Sequence, residues 1–343
     1  MRAKSRKKIT IDKYMNKALY DNASGYYVKK NPFGKNGDYI TAPNISILFS
    51  EMIAIWIILF WKELNCPKNF NLIELGAGNG EMIFEIIRTF NKFPLLKKSC
   101  NINILEKSKY LRIIQKKKLK KLNVKWLNNL RETSNYPSIF IANEFFDALP
   151  VKQFIKKNNL WYERNIKISE KYNPEIVDIL TNIKKVEKKI GFNISYKQNF
   201  IEYSPLSKEY LKIIAKKINK NNGGILIIDY GYWEHKMKNT LKGAYKHNFN
   251  NYLKNIGKSD ITYNLSFHLL EKIIKKLNLR INEKINQRDF LVNLGIIKRA
   301  EIISKNVSFK KKADIFYRIE RLINKNSMGE LFKVMVATKK DQI

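Results

Sequence analysis

Three short stretches of this 343-residue chain carry residue types and spacings that fit one another chemically. The first runs Asn71-Leu72-Ile73-Glu74-Leu75-Gly76-Ala77-Gly78-Asn79-Gly80-Glu81-Met82: an apolar run, an acid, three glycines on alternate positions, then an amphipathic start. It reads as a strand, a tight turn and a helix N-terminus. Glycine removes the Cβ that would keep a ligand off the backbone, and the free amides of a helix start favour polar or anionic groups. The spacing is G-x-G-x-G, one residue shorter than the dinucleotide fingerprint. The second is Glu106, which closes the next strand about thirty residues on. Its two oxygens suit the paired hydroxyls of a ribose. The third is Asn143-Glu144-Phe145-Phe146-Asp147-Ala148-Leu149-Pro150, where a polar residue and two aromatics follow a strand. A polar residue there can orient a ligand group, and the rings can exclude water. Glu144 and Asp147 share a face if the chain begins a helical turn.

An acid at the position of Glu106 serves NAD as well as other nucleosides, so it does not separate cofactors. The glycine spacing does. The shorter form behind an acid is the one used by S-adenosylmethionine (SAM) methyltransferases of the Rossmann-like class. SAM is the expected cofactor, with Glu74, Gly76, Gly78, Gly80, Glu106 and Asn143 around it. Methyl transfer from a sulfonium is an in-line displacement, which asks the protein to position a nucleophile and take up a proton.

The elements needed to position these stretches can be read in order. Ile11 to Tyr20 has helical spacing with Asp12 as a cap. Gly25 to Pro43 is a loop rich in glycine, proline and aromatics, and rings in a loop need a partner surface. Ser46 to Leu64 is a helix apolar nearly all round, hence buried. Strands follow at Asn71–Leu75, Asn101–Leu105, Val124–Trp126 and Ser138–Ala142. Between them lie helices Glu81–Phe90 and a basic one capped by Ser108 and reaching about Leu122. This alternation predicts an α/β fold, a doubly wound, mostly parallel sheet. After it comes a hairpin, Val151–Ile155 with Leu160–Ile168, then a polar, irregular segment to Phe200. A helix from Ser204-Pro205 to Asn221 leads into the buried strand Ile225–Gly231. A loop-rich stretch, Trp233–Thr262, precedes helices at Phe267–Leu277, Gln287–Leu294 and on to Asn324, and a last strand at Leu331–Thr338. The expected division is an N-terminal cap over residues 1–65 and a methyltransferase domain over 66–343, with insertions at about 151–203 and 232–263.

The formal net charge of +36 invites a nucleic-acid reading. The lysines, however, are spread along the whole chain, and Asn, Ile and Lys are inflated together, as an A/T-rich genome would make them. Composition is the favoured explanation, and nucleic acid the less favoured partner. Hydrophobic residues make up 44% and charged residues 28%, values of a globular protein with a sizeable core. Two distant cysteines and three histidines provide neither a zinc spacing nor a disulfide framework, and the histidines fit no triad. No metal is expected. The longest apolar run, Met52–Trp61, is too short to span a bilayer. Met1–Lys8 is basic without an apolar segment behind it. The expected compartment is reducing: the cytoplasm of a bacterium, or an organelle matrix in a eukaryote.

The ordered blocks together resemble the MidA-like SAM-dependent methyltransferases, a family that includes the mitochondrial complex I assembly factor acting as a protein arginine methyltransferase. They are Pro32-Phe33-Gly34 with Gly37-Asp38-Tyr39-Ile40-Thr41-Ala42-Pro43, the Glu74–Gly80 loop, Glu106 with Ser108, Leu111-Arg112 and Gln115, and Asn143–Pro150. Further on come Gly223-Gly224 with Asp229-Tyr230-Gly231, Thr240-Leu241 with His247, Asp260-Ile261-Thr262 with Phe267, and Met328–Lys333. The resemblance implies a Rossmann-like class I enzyme with an N-terminal helical cap and substrate-side insertions. It adds Gly37 and Thr41 to the cofactor site and a protein arginine as acceptor, on a respiratory complex I subunit or a related assembly target. A guanidinium stays protonated with a pKa above about 12. A carboxylate must therefore hold it and take its proton, and Glu144, Asp147 and Asp38 are the candidates. RNA as acceptor, or a SAM-binding assembly factor without catalysis, are the alternatives. The chain departs from the family pattern at Ala77 and Asn79, where the family has Pro and Arg. Asn44 stands for Glu, Ser50 for Gly, and Asn264 and Ser266 for His and Asp; these four are read as lying on the acceptor side.

Overall fold

A computed structural model describes residues 7–21, 24–29, 41–168, 173–245, 248–254 and 256–340. Its central feature is an eight-stranded sheet. Seven strands form its path: β1 (Phe70–Leu75), β2 (Cys100–Leu105), β3 (Val124–Leu127), β4 (Ser138–Asn143), β5 (Gly223–Tyr232), β6 (Leu279–Asn286) and β7 (Phe332–Lys339). Their order is β6-β7-β5-β4-β1-β2-β3, and Leu265–Ser266 adds a short parallel pairing at the end of β5. Only β7 runs against its neighbours. The sheet is thus doubly wound and mostly parallel, as the alternation of strands and helices predicts.

Period-two alternation distributes each strand between two cores. Ile225 and Ile227 face the helices Pro205–Asn221 and Phe267–Lys276 together with the N-terminal helix Ile11–Tyr20. Leu226 and Ile228 face the helices Ile47–Glu63, Glu81–Phe90 and those between Gln287 and Ile323. Both faces being covered explains why β1, β4 and β5 are buried along their length, β4 and β5 with unbroken apolar runs. The helix Ile47–Glu63 is buried almost all round, and Ser46 Oγ caps it by accepting from Leu48 N at 3.2 Å.

A second, five-stranded antiparallel sheet joins Lys7–Thr10, Leu160–Ile168, Lys152–Lys157, Phe200–Tyr203 and Glu175–Leu180. Here the structure corrects the sequence reading. The polar segment before Phe200 contains the strand Glu175–Leu180 and the helix Ile183–Ile190. That strand is held by its ladder to Leu160–Ile168 and is largely exposed, so it shows no hydrophobic alternation. Lys7–Thr10, whose first two residues end the stretch Met1–Lys8 read as basic, is likewise an edge strand. β6 escapes notice for a related reason. It lies at the sheet margin with Arg280, Asn282 and Lys284 outward, the charged edge that discourages further pairing. The stretch read as loop-rich between Trp233 and Thr262 holds a three-stranded sheet, Lys242–Tyr245, Asn248–Asn250 and Asp260–Thr262. Thr10, not Asp12, occupies the N-cap of the first helix.

The first helix ties these parts together. Its Tyr14 hydroxyl donates to Tyr252 O at 3.1 Å, and Val151 N donates to Met15 Sδ at 3.4 Å. Its Tyr20 hydroxyl donates to Ala148 O at 3.1 Å. The first helix, the five-stranded sheet and the turn after β4 are thereby fixed around the carboxyl ends of β1, β2, β4 and β5, where ligands bind in sheets of this kind.

Candidate active site

Gly76, Gly78 and Gly80 all sit at positive φ, +67°, +53° and +78°, which L side chains rarely adopt. A Cβ on Gly76 would lie 2.9 Å from Phe145 Cδ2, so the ring closes over bare backbone. Two cavities meet at this loop. One, of about 700 Å³ and open to solvent, is lined by Tyr20, Tyr27, Glu106, Glu144, Phe145 and Tyr210 among others. The other, of about 370 Å³, is lined by Thr41, Asn44, Glu74, Asn79, Asn143 and Glu144. Gly76, Gly78 and Glu144 line both.

Glu74, at the end of β1, is buried, and its Oε2 has no hydrogen-bond partner among the described residues. Burial first and Glu106 second push its carboxyl up to about 8. Asn143 Oδ1, at the end of β4, is also buried without such a partner. A buried acid and amide left open is costly unless a ligand completes them. The ammonium group of SAM's amino-acid end has the complementary chemistry. Glu106 Oε1 accepts from Ser108 N at 2.8 Å and its Oε2 from Gln115 Nε2 at 3.2 Å, while burial raises its carboxyl. Its place in the larger cavity suits a ribose. These residues fit SAM.

Glu144 takes the turn after β4 at φ +50°, a strained geometry for a side-chain-bearing residue. Its N donates to Ile228 O at 2.9 Å, and its Oε1 accepts from Ala42 N and Asn143 Nδ2, both at 3.4 Å. Burial and the nearby Asp147 push its carboxyl up to about 8. Asp147 lies beneath. It lines neither cavity, and its Oδ2 accepts from Thr262 Oγ1 at 2.8 Å. Burial, against that bond, raises it to about 6. The chain makes a turn rather than a helix here, so the two acids do not share a face. Asp229, fully buried, accepts from Phe146 N, Asp147 N and Tyr230 N at 3.0, 3.3 and 2.9 Å and so holds the turn. Gly37 and Asp38 lie outside the described residues.

Three walls of the larger cavity carry no role in the sequence reading: Tyr20, Tyr27 and Tyr210. Tyr20 and Tyr27 stack with centroids 5.6 Å apart, and the Tyr27 hydroxyl donates to Asp260 Oδ2 at 3.0 Å. Tyr27 had a signal in the aromatic loop that needed a partner surface; Tyr20 and Tyr210, on the helices Ile11–Tyr20 and Pro205–Asn221, had none. Asn44, read as acceptor-side, instead meets Asn79 of the glycine loop in the smaller cavity. His235 and His268 pack against each other and line neither cavity.

Fold and site together define a Rossmann-like SAM-dependent methyltransferase. Residues 52–283 match the family described as "Putative S-adenosyl-L-methionine-dependent methyltransferase", and the chain belongs to that family. It is 29% identical to the Xenopus laevis protein named protein arginine methyltransferase NDUFAF7, mitochondrial, over 96% of this chain and 81% of that one. The human protein of the same name is 27% identical over 96% of this chain and 80% of its own length. Among solved structures, a COG1565 superfamily member from Burkholderia thailandensis, bound to S-adenosyl-homocysteine, superposes with a TM-score of 0.83 at 21% identity. The match covers 97% of this chain and 88% of that one.

Proposed function

We propose that this enzyme methylates an arginine side chain of a protein. The observation that carries the reading is Glu144, a carboxyl held at the junction of the two cavities and raised to about 8. The names of the relatives, aligned over nearly the whole chain, support it. When bound, SAM supplies an electrophilic methyl group on its sulfonium. Glu74, Asn143 and Thr41 would hold its amino-acid end, the Gly76–Gly80 backbone would lie against it, and Glu106 would hold the ribose.

Glu144 carries the acceptor chemistry. Its carboxylate receives hydrogen bonds from the guanidinium and takes the proton that the reacting nitrogen must lose. Asp147, buried behind it, keeps negative charge close and favours the cationic acceptor. Tyr20, Tyr27, Phe145 and Tyr210 exclude water, which strengthens each of these charge interactions. Asp38 joins the candidates through its place in the family block alone. The compartment we infer is reducing, a bacterial cytoplasm or an organelle matrix.

The test is incubation with labelled SAM in RNase-treated lysate of a strain lacking the gene, then mass spectrometry of labelled bands. Methylated arginine is the expected product. Label in RNA and none in protein would move the acceptor to RNA, the reading the +36 charge motivates. Full biological activity of Glu144→Gln with SAM still bound would favour a non-catalytic assembly factor.

A further inference from the structure

Gln115 is fully buried in the helix Lys109–Lys118, which follows β2. Its orientation is fixed by chemistry, since the indole of Trp126 can only donate. Gln115 Oε1 accepts from Trp126 Nε1 at 2.9 Å. The amide nitrogen must then face the other way. There it donates to Gly78 O at 2.8 Å and to Glu106 Oε2 at 3.2 Å. One side chain thus spans the glycine loop and the ribose acid, two parts of the site that sequence places about thirty residues apart. A Cβ on Gly80 would sit 3.5 Å from Gln115 Cγ, so the same side chain also backs the end of the loop.

We propose that Gln115 is a positioning residue for the cofactor. It sets the separation between the Gly78 carbonyl and the Glu106 carboxylate. It also fixes the carboxylate of Glu106 at the wall of the larger cavity, together with Ser108 N. The inference rests on the SAM-binding role of the site and not on the identity of the acceptor. Glu106 already receives Ser108 N on Oε1. Without Gln115 it would keep that bond, yet both it and the Gly78 carbonyl would lose their shared donor. Buried acceptors that lose a donor rearrange or recruit water, and either outcome loosens the cradle.

Gln115→Glu is the informative variant. It is isosteric and keeps an oxygen for Trp126, but it turns the shared donor into an acceptor facing a carbonyl and a carboxylate. We expect the Kd for S-adenosyl-homocysteine, measured by calorimetry, to rise at least tenfold at pH 8. The gap from wild type should narrow as pH falls towards 6, because a proton shared between Glu106 and the introduced carboxyl restores a donor. Tryptophan fluorescence of ligand-free Gln115→Met should shift as Trp126 loses its acceptor, and its Kd should rise by a similar factor at every pH. Wild-type affinity of Gln115→Glu at pH 8 would overturn the proposal. So would a loss in that variant that does not change with pH, since that is the mark of a damaged fold.

Discussion

Asn79 Nδ2 donates to Asn44 Oδ1 at 2.9 Å, joining the glycine loop to the short helix Ala42–Ile45. Asn79 Oδ1 also accepts from Glu81 N at 3.1 Å, and Asn44 Nδ2 donates to Thr41 Oγ1 at 2.7 Å. The resemblance drawn from the sequence implies Arg and Glu at these two positions. Two departures that look independent in the sequence are then one change in space, a neutral pair where the resemblance implies opposite charges. Asn79→Ala removes two hydrogen bonds, each worth about 1 kcal/mol, and should lower unfolding free energy in denaturant by about 1–2 kcal/mol. The double variant Asn44→Glu with Asn79→Arg should recover more than the two single changes sum to. Strict additivity in that cycle would mean that the two side chains are not coupled.

Glu144 leads to a pH prediction. A base acts in its deprotonated form, and its carboxyl is raised to about 8 in the free enzyme. Turnover over Km should then climb with pH up to about 8 and level off. Glu144→Gln should lose roughly 100- to 10,000-fold in turnover while binding S-adenosyl-homocysteine as before. A variant that keeps the wild-type pH profile would remove Glu144 from the role of base.

Glu74 should couple ligand binding to proton release. Its carboxyl is raised to about 8 in the fold, so the folded state holds a proton that the unfolded chain has lost between its ordinary range and pH 8. By linkage, stability of the ligand-free protein falls as pH rises through that window. A cationic ligand forces ionisation. Calorimetry of SAM binding at pH 7 in buffers of different ionisation enthalpy should register close to one proton released, and none with Glu74→Gln. Equal proton release by the variant would point to another group.

Gly76 tests the close approach of Phe145. An alanine there meets the ring at 2.9 Å and must adopt φ +67°. Gly76→Ala should keep its far-ultraviolet circular dichroism yet lose S-adenosyl-homocysteine affinity by more than tenfold. Unchanged affinity would show that the loop relaxes without consequence.

The parallel sheet was legible because burial on both faces writes long apolar runs, and the helices Glu81–Phe90 and Pro205–Asn221 were legible from local signals, the glycine turn before the first and the Ser204 cap with Pro205 at the start of the second. The strands Lys7–Thr10, Glu175–Leu180 and β6 were not: partners far along the chain create Lys7–Thr10 and β6, and Glu175–Leu180, though it pairs with the strand just before it, is largely solvated and shows no alternation. At the site, acids and glycines announced themselves by type and spacing. What the sequence could not express was depth: Glu144 reaches both cavities, whereas Asp147, three residues on, is turned into the protein against Thr262.

The pairing of Lys7–Thr10 with Leu160–Ile168 bears on how the chain is made. Thr10 lies opposite Asn165, so roughly 150 residues must leave the ribosome before the first strand meets its partner. At about 5–20 residues per second that interval is of order ten to thirty seconds. Until then the helix Ile11–Tyr20, whose Ile11, Tyr14, Met15, Ala18 and Leu19 are buried in the fold, lacks the strand Leu160–Ile168 against which it packs. A chaperone that holds this helix until Leu160–Ile168 has emerged would act before the five-stranded sheet exists.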